Sequence, residues 1–275
     1  RMPPSSEAAA RFRDLHRQGL LRLANAWDAG TARLIEQRGA AAVATTSAGL
    51  AWAQGYADGD RLDPDVLPQA ASRIARVIRV PLTVDVEGGY SDDPDSVAAL
   101  VLRVVHAGAA GINLEDGAGA PDLLAAKIRT IRKACVAQGA DVFINARTDV
   151  YLRGLAAEER RVDETLARAA LYRQAGADGL FVPGLVDVDA IRAVADACGL
   201  PLNVMLRPAL HDLAALQALG VRRVSTGSAL AESMYGRLSA QVDEFLHADT
   251  TSLPDPQAMG YGAVNALFGL RRAVR

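Results

Sequence analysis

A soft repeat restricts this chain more than any other feature: a helical stretch, a small-residue turn holding glycine, then a short apolar run. It reads Gln37-Arg38-Gly39-Ala40-Ala41-Ala42-Val43-Ala44, then Ala107-Gly108-Ala109-Ala110-Gly111-Ile112-Asn113-Leu114. It returns as Ala175-Gly176-Ala177-Asp178-Gly179-Leu180-Phe181-Val182 and as Leu219-Gly220-Val221-Arg222-Arg223-Val224-Ser225-Thr226. Glycine after a helix is a stop signal, and the apolar run that follows suits a parallel strand covered on both faces. Strands are expected near 21–25, 41–46, 81–86, 111–115, 142–147, 179–183, 202–206 and 222–226. Helical patterns lie between them, so the pattern predicts a (β/α)8 TIM barrel over residues 20–227. An open doubly wound sheet is the runner-up, but no glycine-rich dinucleotide fingerprint follows the first strand. Residues 1–19 read as a helix ahead of the barrel, and 228–275 as a C-terminal helical segment. Within that segment a helix is expected from Ser228 to His247, a linker to Gly260, and a last helix from Tyr261 to Arg272.

The polar residues at the strand ends are the candidates for a site, because in such a barrel these ends open onto one face. They are Asn25 and Asp28; Thr45, Thr46 and Ser47; Asp85 and Glu87; Glu115 and Asp116; Asn145, Arg147 and Asp149; Asn203 and Arg207; Thr226 and Ser228. Asp85 and Glu87 close the run Pro81-Leu82-Thr83-Val84-Asp85-Val86-Glu87, and Glu115 closes Gly111-Ile112-Asn113-Leu114-Glu115. Acids at the ends of apolar strands are unfavourable to bury unless a positive charge meets them. Two acids two residues apart project to the same side of a strand and repel each other without a cation.

What is missing narrows the chemistry. The two lysines, Lys127 and Lys133, fall in the predicted helix before the fifth strand, which argues against a Schiff-base mechanism. The four histidines and both cysteines, Cys135 and Cys198, also avoid the strand ends, so a His/Cys zinc site is not expected. An all-oxygen site remains, suited to Mg²⁺ or Mn²⁺. Each group also has a structural reading. Asp85 and Glu87 could pair with barrel arginines, Glu115 could cap a helix, and Arg147 could merely neutralise Asp149.

With a net charge of −2 and half of its 275 residues apolar, the chain offers nothing to attract a nucleic acid. No apolar run reaches the length of a membrane span, and Arg1 to Ser6 carries no signal-peptide core. The expectation is a soluble, cytoplasmic protein.

In their order, these strand-end motifs resemble the isocitrate lyase/phosphoenolpyruvate mutase superfamily. The matching stretches are Asn25-Ala26-Trp27-Asp28, Thr45-Thr46-Ser47-Ala48-Gly49, Gly55-Tyr56-Ala57-Asp58-Gly59 and Asp85-Val86-Glu87-Gly88-Gly89-Tyr90. Gly111-Ile112-Asn113-Leu114-Glu115-Asp116, Asn145-Ala146-Arg147-Thr148-Asp149 and Phe181-Val182-Pro183-Gly184 complete the set. The resemblance implies a barrel whose eighth helix is exchanged with a neighbour, in a homodimer or homotetramer. It implies Mg²⁺ held directly by Asp85, with Glu87, Glu115 and Asp58 acting through water. It also implies a small 2-oxo acid whose carboxylate meets the amides near Thr46, Ser47 and Ala48. Arg147 would meet the far end of that substrate, and Asn203 is carried as a further substrate contact.

One departure decides between activities. The isocitrate lyases carry a Lys-Lys/Arg-Cys-Gly-His lid after the fourth strand, whereas this chain has Asp116-Gly117-Ala118-Gly119-Ala120-Pro121-Asp122. Without a lid acid, the expected reaction is one whose leaving group takes no proton from the enzyme. Decarboxylation of an oxaloacetate-like acid qualifies, as does retro-aldol cleavage with Asp58 as base through water. The alternatives are a phosphoenolpyruvate mutase or phosphonopyruvate hydrolase acting on a C–P bond, and a non-catalytic barrel that binds a metal and a ligand.

Overall fold

The four glycines of the repeat all take a left-handed backbone, with φ of 89° at Gly39, 114° at Gly108, 110° at Gly176 and 93° at Gly220. A side chain disfavours that conformation, so glycine ends each helix and turns the chain into the next strand. The structure, a computed structural model, describes residues 4–269. The strands are β1 (Leu21–Leu23), β2 (Asn25–Ala26), β3 (Val43–Thr45), β4 (Leu82–Asp85), β5 (Gly111–Glu115), β6 (Phe143–Arg147), β7 (Gly179–Phe181), β8 (Leu202–Met205) and β9 (Arg223–Ser225). The helices are α1 (Pro4–Asp14), α2 (Ala29–Gln37), α3 (Ser47–Ala53), α4 (Val66–Ala75), α5 (Pro94–His106), α6 (Pro121–Ala137), α7 (Arg161–Ala175), α8 (Val188–Ala197), α9 (Leu213–Ala218), α10 (Ala229–His247) and α11 (Tyr261–Leu267). The last helix, expected to reach Arg272, ends at Leu267 with Phe268 closing it; positions 270–272 lie outside the described residues.

All strand pairs are parallel, in the order β1-β9-β8-β7-β6-β5-β4-β3-β2. The first and last members of that order are two pieces of one segment, so the sheet closes on itself as the expected parallel α/β barrel. The first strand, expected to be continuous, is instead interrupted at Ala24. The side chain of Asn25 takes over the bonding there. Its Oδ1 accepts from the amides of Thr226 and Gly227, both at 3.0 Å, and its Nδ2 donates to the Thr45 carbonyl at 2.8 Å. One amide side chain thus joins both neighbouring strands at the seam.

The chief core lies between the strands and the helices, built from residues such as Val84, Ile112, Ile144, Val101, Ile128 and Val194. A second cluster, with Phe12, Leu21, Leu23, Ala42, Ala44, Ala110 and Phe143, fills the barrel's inner end. Phe12 of α1 plugs that end, edge-on to Phe143 at 5.3 Å. Gly111 makes room for it, since a Cβ there would lie 2.7 Å from the Phe12 ring. Arg13 and Arg132 share Asp141 and Asp178, tying α1 to the barrel.

The last long helix is different. Among the residues of α10 only Ala231 is buried, while Leu230, Met234, Tyr235, Leu238, Val242 and Phe245 are exposed. Leu230, Met234, Leu238, Val242 and Phe245, three or four residues apart, lie on one helix face. Outside β1 and β9, where an eighth helix would sit, there is a cleft of about 780 Å³ lined by Leu34, Ile35, Leu206 and Leu213. No helix among the described residues is long and apolar enough to cross a membrane.

Candidate active site

Parallel register sets the outer ends of β4, β5 and β6 side by side: Asp85 opposite Asn113, Asn113 opposite Asn145, and Glu115 opposite Arg147. Alternation along β5 then sends Asn113 and Glu115 to the same face at successive depths. The strand-end acids are therefore neighbours, and all three are largely enclosed. Burial pushes the Asp85 carboxyl up, against the nearby Arg147 charge and helped by Asp58. Burial likewise lifts Glu87 to about 7, with the Asp85, Asp60 and Asp58 charges adding to it. Glu115 is lifted by burial to about 8, although Arg147 opposes this. Burial thus outweighs the one nearby guanidinium at Asp85 and Glu115.

The loop after β4 is tightly held. Glu87 (φ 49°), Tyr90 (φ 58°) and Asp60 (φ 56°) are the non-glycine residues with a left-handed backbone among those described, and all three meet here. Each such conformation costs about 1–2 kcal/mol, so surrounding bonds must impose it. They do. The Glu87 amide donates to Asp85 Oδ1 at 3.0 Å, and the Glu115 amide to the Glu87 carbonyl at 2.9 Å. The Tyr90 hydroxyl donates to Glu87 Oε1 at 3.0 Å, and the Asp60 amide donates to Glu87 Oε2. Lys127 Nζ donates to the Gly88 carbonyl at 2.7 Å.

The residues expected to hold a metal have protein partners of their own. Among the described residues, no group of three or more His, Cys, Asp or Glu side chains stands close enough to cage a metal. Glu115 is instead paired with Arg147 Nη1 at 2.7 Å, and Glu87 is held by Tyr90 and Asp60. Among the described residues the Asp85 carboxylate accepts two hydrogen bonds, from the Glu87 amide at 3.0 Å and from Asn113 Nδ2 at 3.4 Å. That leaves lone pairs on both its oxygens. Such an arrangement suits an ion that keeps most of its waters, as Mg²⁺ does, better than one needing a full protein cage.

Arg147 has the structural engagement that the sequence left open. Its Nε and Nη2 grip Asp149 at 2.7 and 3.1 Å, and Nη1 meets Glu115. A guanidinium has five N–H groups, so two remain. Asp58, expected to take part, is exposed and bonds to none of the acids; the Asp60 amide donates to Glu87 instead, and the Asp60 carboxylate accepts from the Gly88 amide. Asn203 does not reach the mouth. It is fully enclosed, with its amide bonded to the Val204 and Arg223 carbonyls and its Oδ1 to Asn145. How deep a strand residue sits depends on barrel shear, which sequence does not reveal.

Thr46 is buried and accepts from the Gly49 amide, which starts α3. Ser47 and Ala48 lie in the first turn of that helix, where no intrahelical carbonyl can take their N–H groups. The loop after Glu115 is as plain as its sequence. Asp116, its one acid before α6, is turned inward and bonded to Arg168, Tyr172 and the Asp149 amide. Lys127, placed away from the site by its helix, reaches the β4 loop along its four-carbon stem and lines a cleft of about 400 Å³ with Asp60, Tyr90 and Glu115. Tyr90, Asp60 and Asn113 also escaped sequence reasoning. Only Asn113 had a usable signal, its two-residue spacing from Glu115.

Comparison with known proteins gives a consistent result. The family model described as phosphoenolpyruvate phosphomutase matches residues 12–246. An uncharacterised Mycobacterium tuberculosis (strain H37Rv) protein is 39% identical over 223 residues, covering 79% of this chain and 81% of its own length. An oxaloacetate decarboxylase of Pseudomonas aeruginosa (strain PAO1) is 33% identical over 171 residues, 58% of each chain. A Burkholderia cenocepacia J2315 structure solved as a candidate phosphonomutase is 42% identical, with a TM-score of 0.82 over 88% of this chain and 99% of that one.

Proposed function

The chain belongs to the phosphoenolpyruvate phosphomutase family, and from that premise we propose that it is a Mg²⁺-dependent lyase cleaving a C–C bond of a small 2-oxo or 2-hydroxy dicarboxylate. The observation that carries this reading is an enclosed Asp85 carboxylate with lone pairs left open on both oxygens, beside a loop that offers no proton donor. Mg²⁺ at Asp85 would supply positive charge to the C2 oxygen as it gains electron density. The chain's own residues do the rest. The amides of Ser47 and Ala48 would receive the C1 carboxylate, and the two remaining N–H groups of Arg147 would receive the far end. In an oxaloacetate-like substrate the C3–C4 bond breaks and its electron pair moves into the enolate. Carbon dioxide leaves without needing a proton, and C3 later takes one from solvent. The oxaloacetate decarboxylase among the relatives supports this choice.

A second reading, C–P bond chemistry on phosphonopyruvate, is favoured by the similarity to the candidate phosphonomutase. The Gly117 to Ala120 loop gives little to restrain a transferred phosphoryl group. A Mg²⁺-supplemented screen of 2-oxo and 2-hydroxy dicarboxylates, read by pyruvate formation, tests the first reading. Turnover of phosphonopyruvate alone, to phosphoenolpyruvate or to phosphate, would replace it with the second.

A further inference from the structure

Beneath the acids lies a polar layer that the proposed chemistry does not use. Arg223, on β9, is among the largest fully enclosed side chains, at 1% exposure. Its Nη2 donates to Asn113 Oδ1 at 3.1 Å, and its guanidinium lies 5.8 Å from the centre of the Phe12 ring. Its Nε and Nη1 have no partner among the described residues. A buried arginine held by one neutral hydrogen bond does not stabilise a fold. Replacing buried charge by an apolar side chain of similar size is often neutral or stabilising.

Its effect is on orientation. Arginine can only donate, so the Asn113 atom facing it must be the amide oxygen. Asn145 Nδ2 donates to the same oxygen at 2.9 Å. The Asn113 nitrogen is thereby turned toward Asp85 Oδ2, 3.4 Å away. Turned the other way, the amide would present an oxygen to the carboxylate. We propose that Arg223, acting through Asn113, is a positioning residue that fixes the Asp85 carboxylate for metal binding. This rests on the reading of Asp85 as the metal ligand.

The probe is Mn²⁺ alone, titrated into metal-stripped protein and followed by the electron paramagnetic resonance signal of the free ion. Second-sphere partners of metal ligands are commonly worth about ten- to a hundredfold in affinity. Asn113→Leu and Arg223→Met should each weaken Mn²⁺ binding by about that factor, while Arg223→Met melts no lower than wild type. If Arg223 acts only as a nearby like charge, Arg223→Met will bind Mn²⁺ as tightly as wild type or more tightly, and the proposal is overturned. Should Arg223→Met not fold, Asn113→Leu keeps the charge in place, and unchanged affinity in that variant overturns it equally. Asp85→Asn separates the two levels. Persistent Mn²⁺ binding in Asp85→Asn removes the metal from Asp85 and takes both readings with it; loss there with no effect at Asn113 or Arg223 removes this one alone.

Discussion

Replacing Arg147 by methionine should destabilise the protein severely, even without substrate or metal. The side chain is 16% exposed and stands between Glu115, at 12%, and Asp149, at 0%. Its loss strands the enclosed Asp149 carboxylate, which keeps only Arg153, itself half exposed, and leaves Glu115 without its partner. Removing one partner of a buried ion pair costs about 3–5 kcal/mol. At about 2–4 °C per kcal/mol for a chain of this size, the melting temperature should fall by roughly 6–20 °C. Arg147→Lys should lie between, losing about 1–3 kcal/mol, because an ammonium cannot reproduce the fork on Asp149 while also meeting Glu115. Differential scanning calorimetry of the metal-free variants measures both. A methionine variant melting within a degree or two of wild type would refute the bridging role and return Arg147 to a purely substrate-facing one.

The acid cluster sets a pH dependence. Glu87 and Glu115, at about 7 and about 8 in the fold, bind protons more readily than the ordinary 4.5 of the unfolded chain. Between those limits the native state therefore holds more protons, and its stability falls as pH rises. Chelator-treated protein should melt lower at about pH 8 than at about pH 5, with the Mg²⁺-induced rise in melting temperature growing over the same interval; a flat profile would contradict it. The apolar face of α10 and the open cleft outside β1 and β9 predict a dimer or tetramer in which the helix of one copy covers its neighbour. Light scattering that gives a monomer at micromolar concentration would contradict this.

The fold was legible because its signals are local. The Gly39, Gly108, Gly176 and Gly220 turns mark the strands that follow by backbone conformation alone. The strand-end acids were legible as a set because all parallel strands of a barrel point the same way. What decides the role of each side chain is not local. Arg223 and Asn113 meet across 110 residues, and nothing in Arg222-Arg223-Val224 marks one arginine as interior. Asp58 and Asp60 differ by a turn geometry that Asp58-Gly59-Asp60 does not encode, so the sequence does not show that the Asp60 amide braces Glu87. Lys127 was misjudged because a long flexible stem separates where a lysine is anchored from where its charge acts.

The account depends above all on Asp85 holding the metal that supports bond cleavage. The direct measurement is pyruvate formation from oxaloacetate as Mg²⁺ is raised, for wild type and Asp85→Ala, each corrected for the enzyme-free reaction. Wild type should show saturable Mg²⁺-dependent turnover. The variant should fold normally and lose about a thousandfold or more, the several kcal/mol that a metal's charge contributes. Undiminished Mg²⁺-dependent turnover in Asp85→Ala would contradict the account.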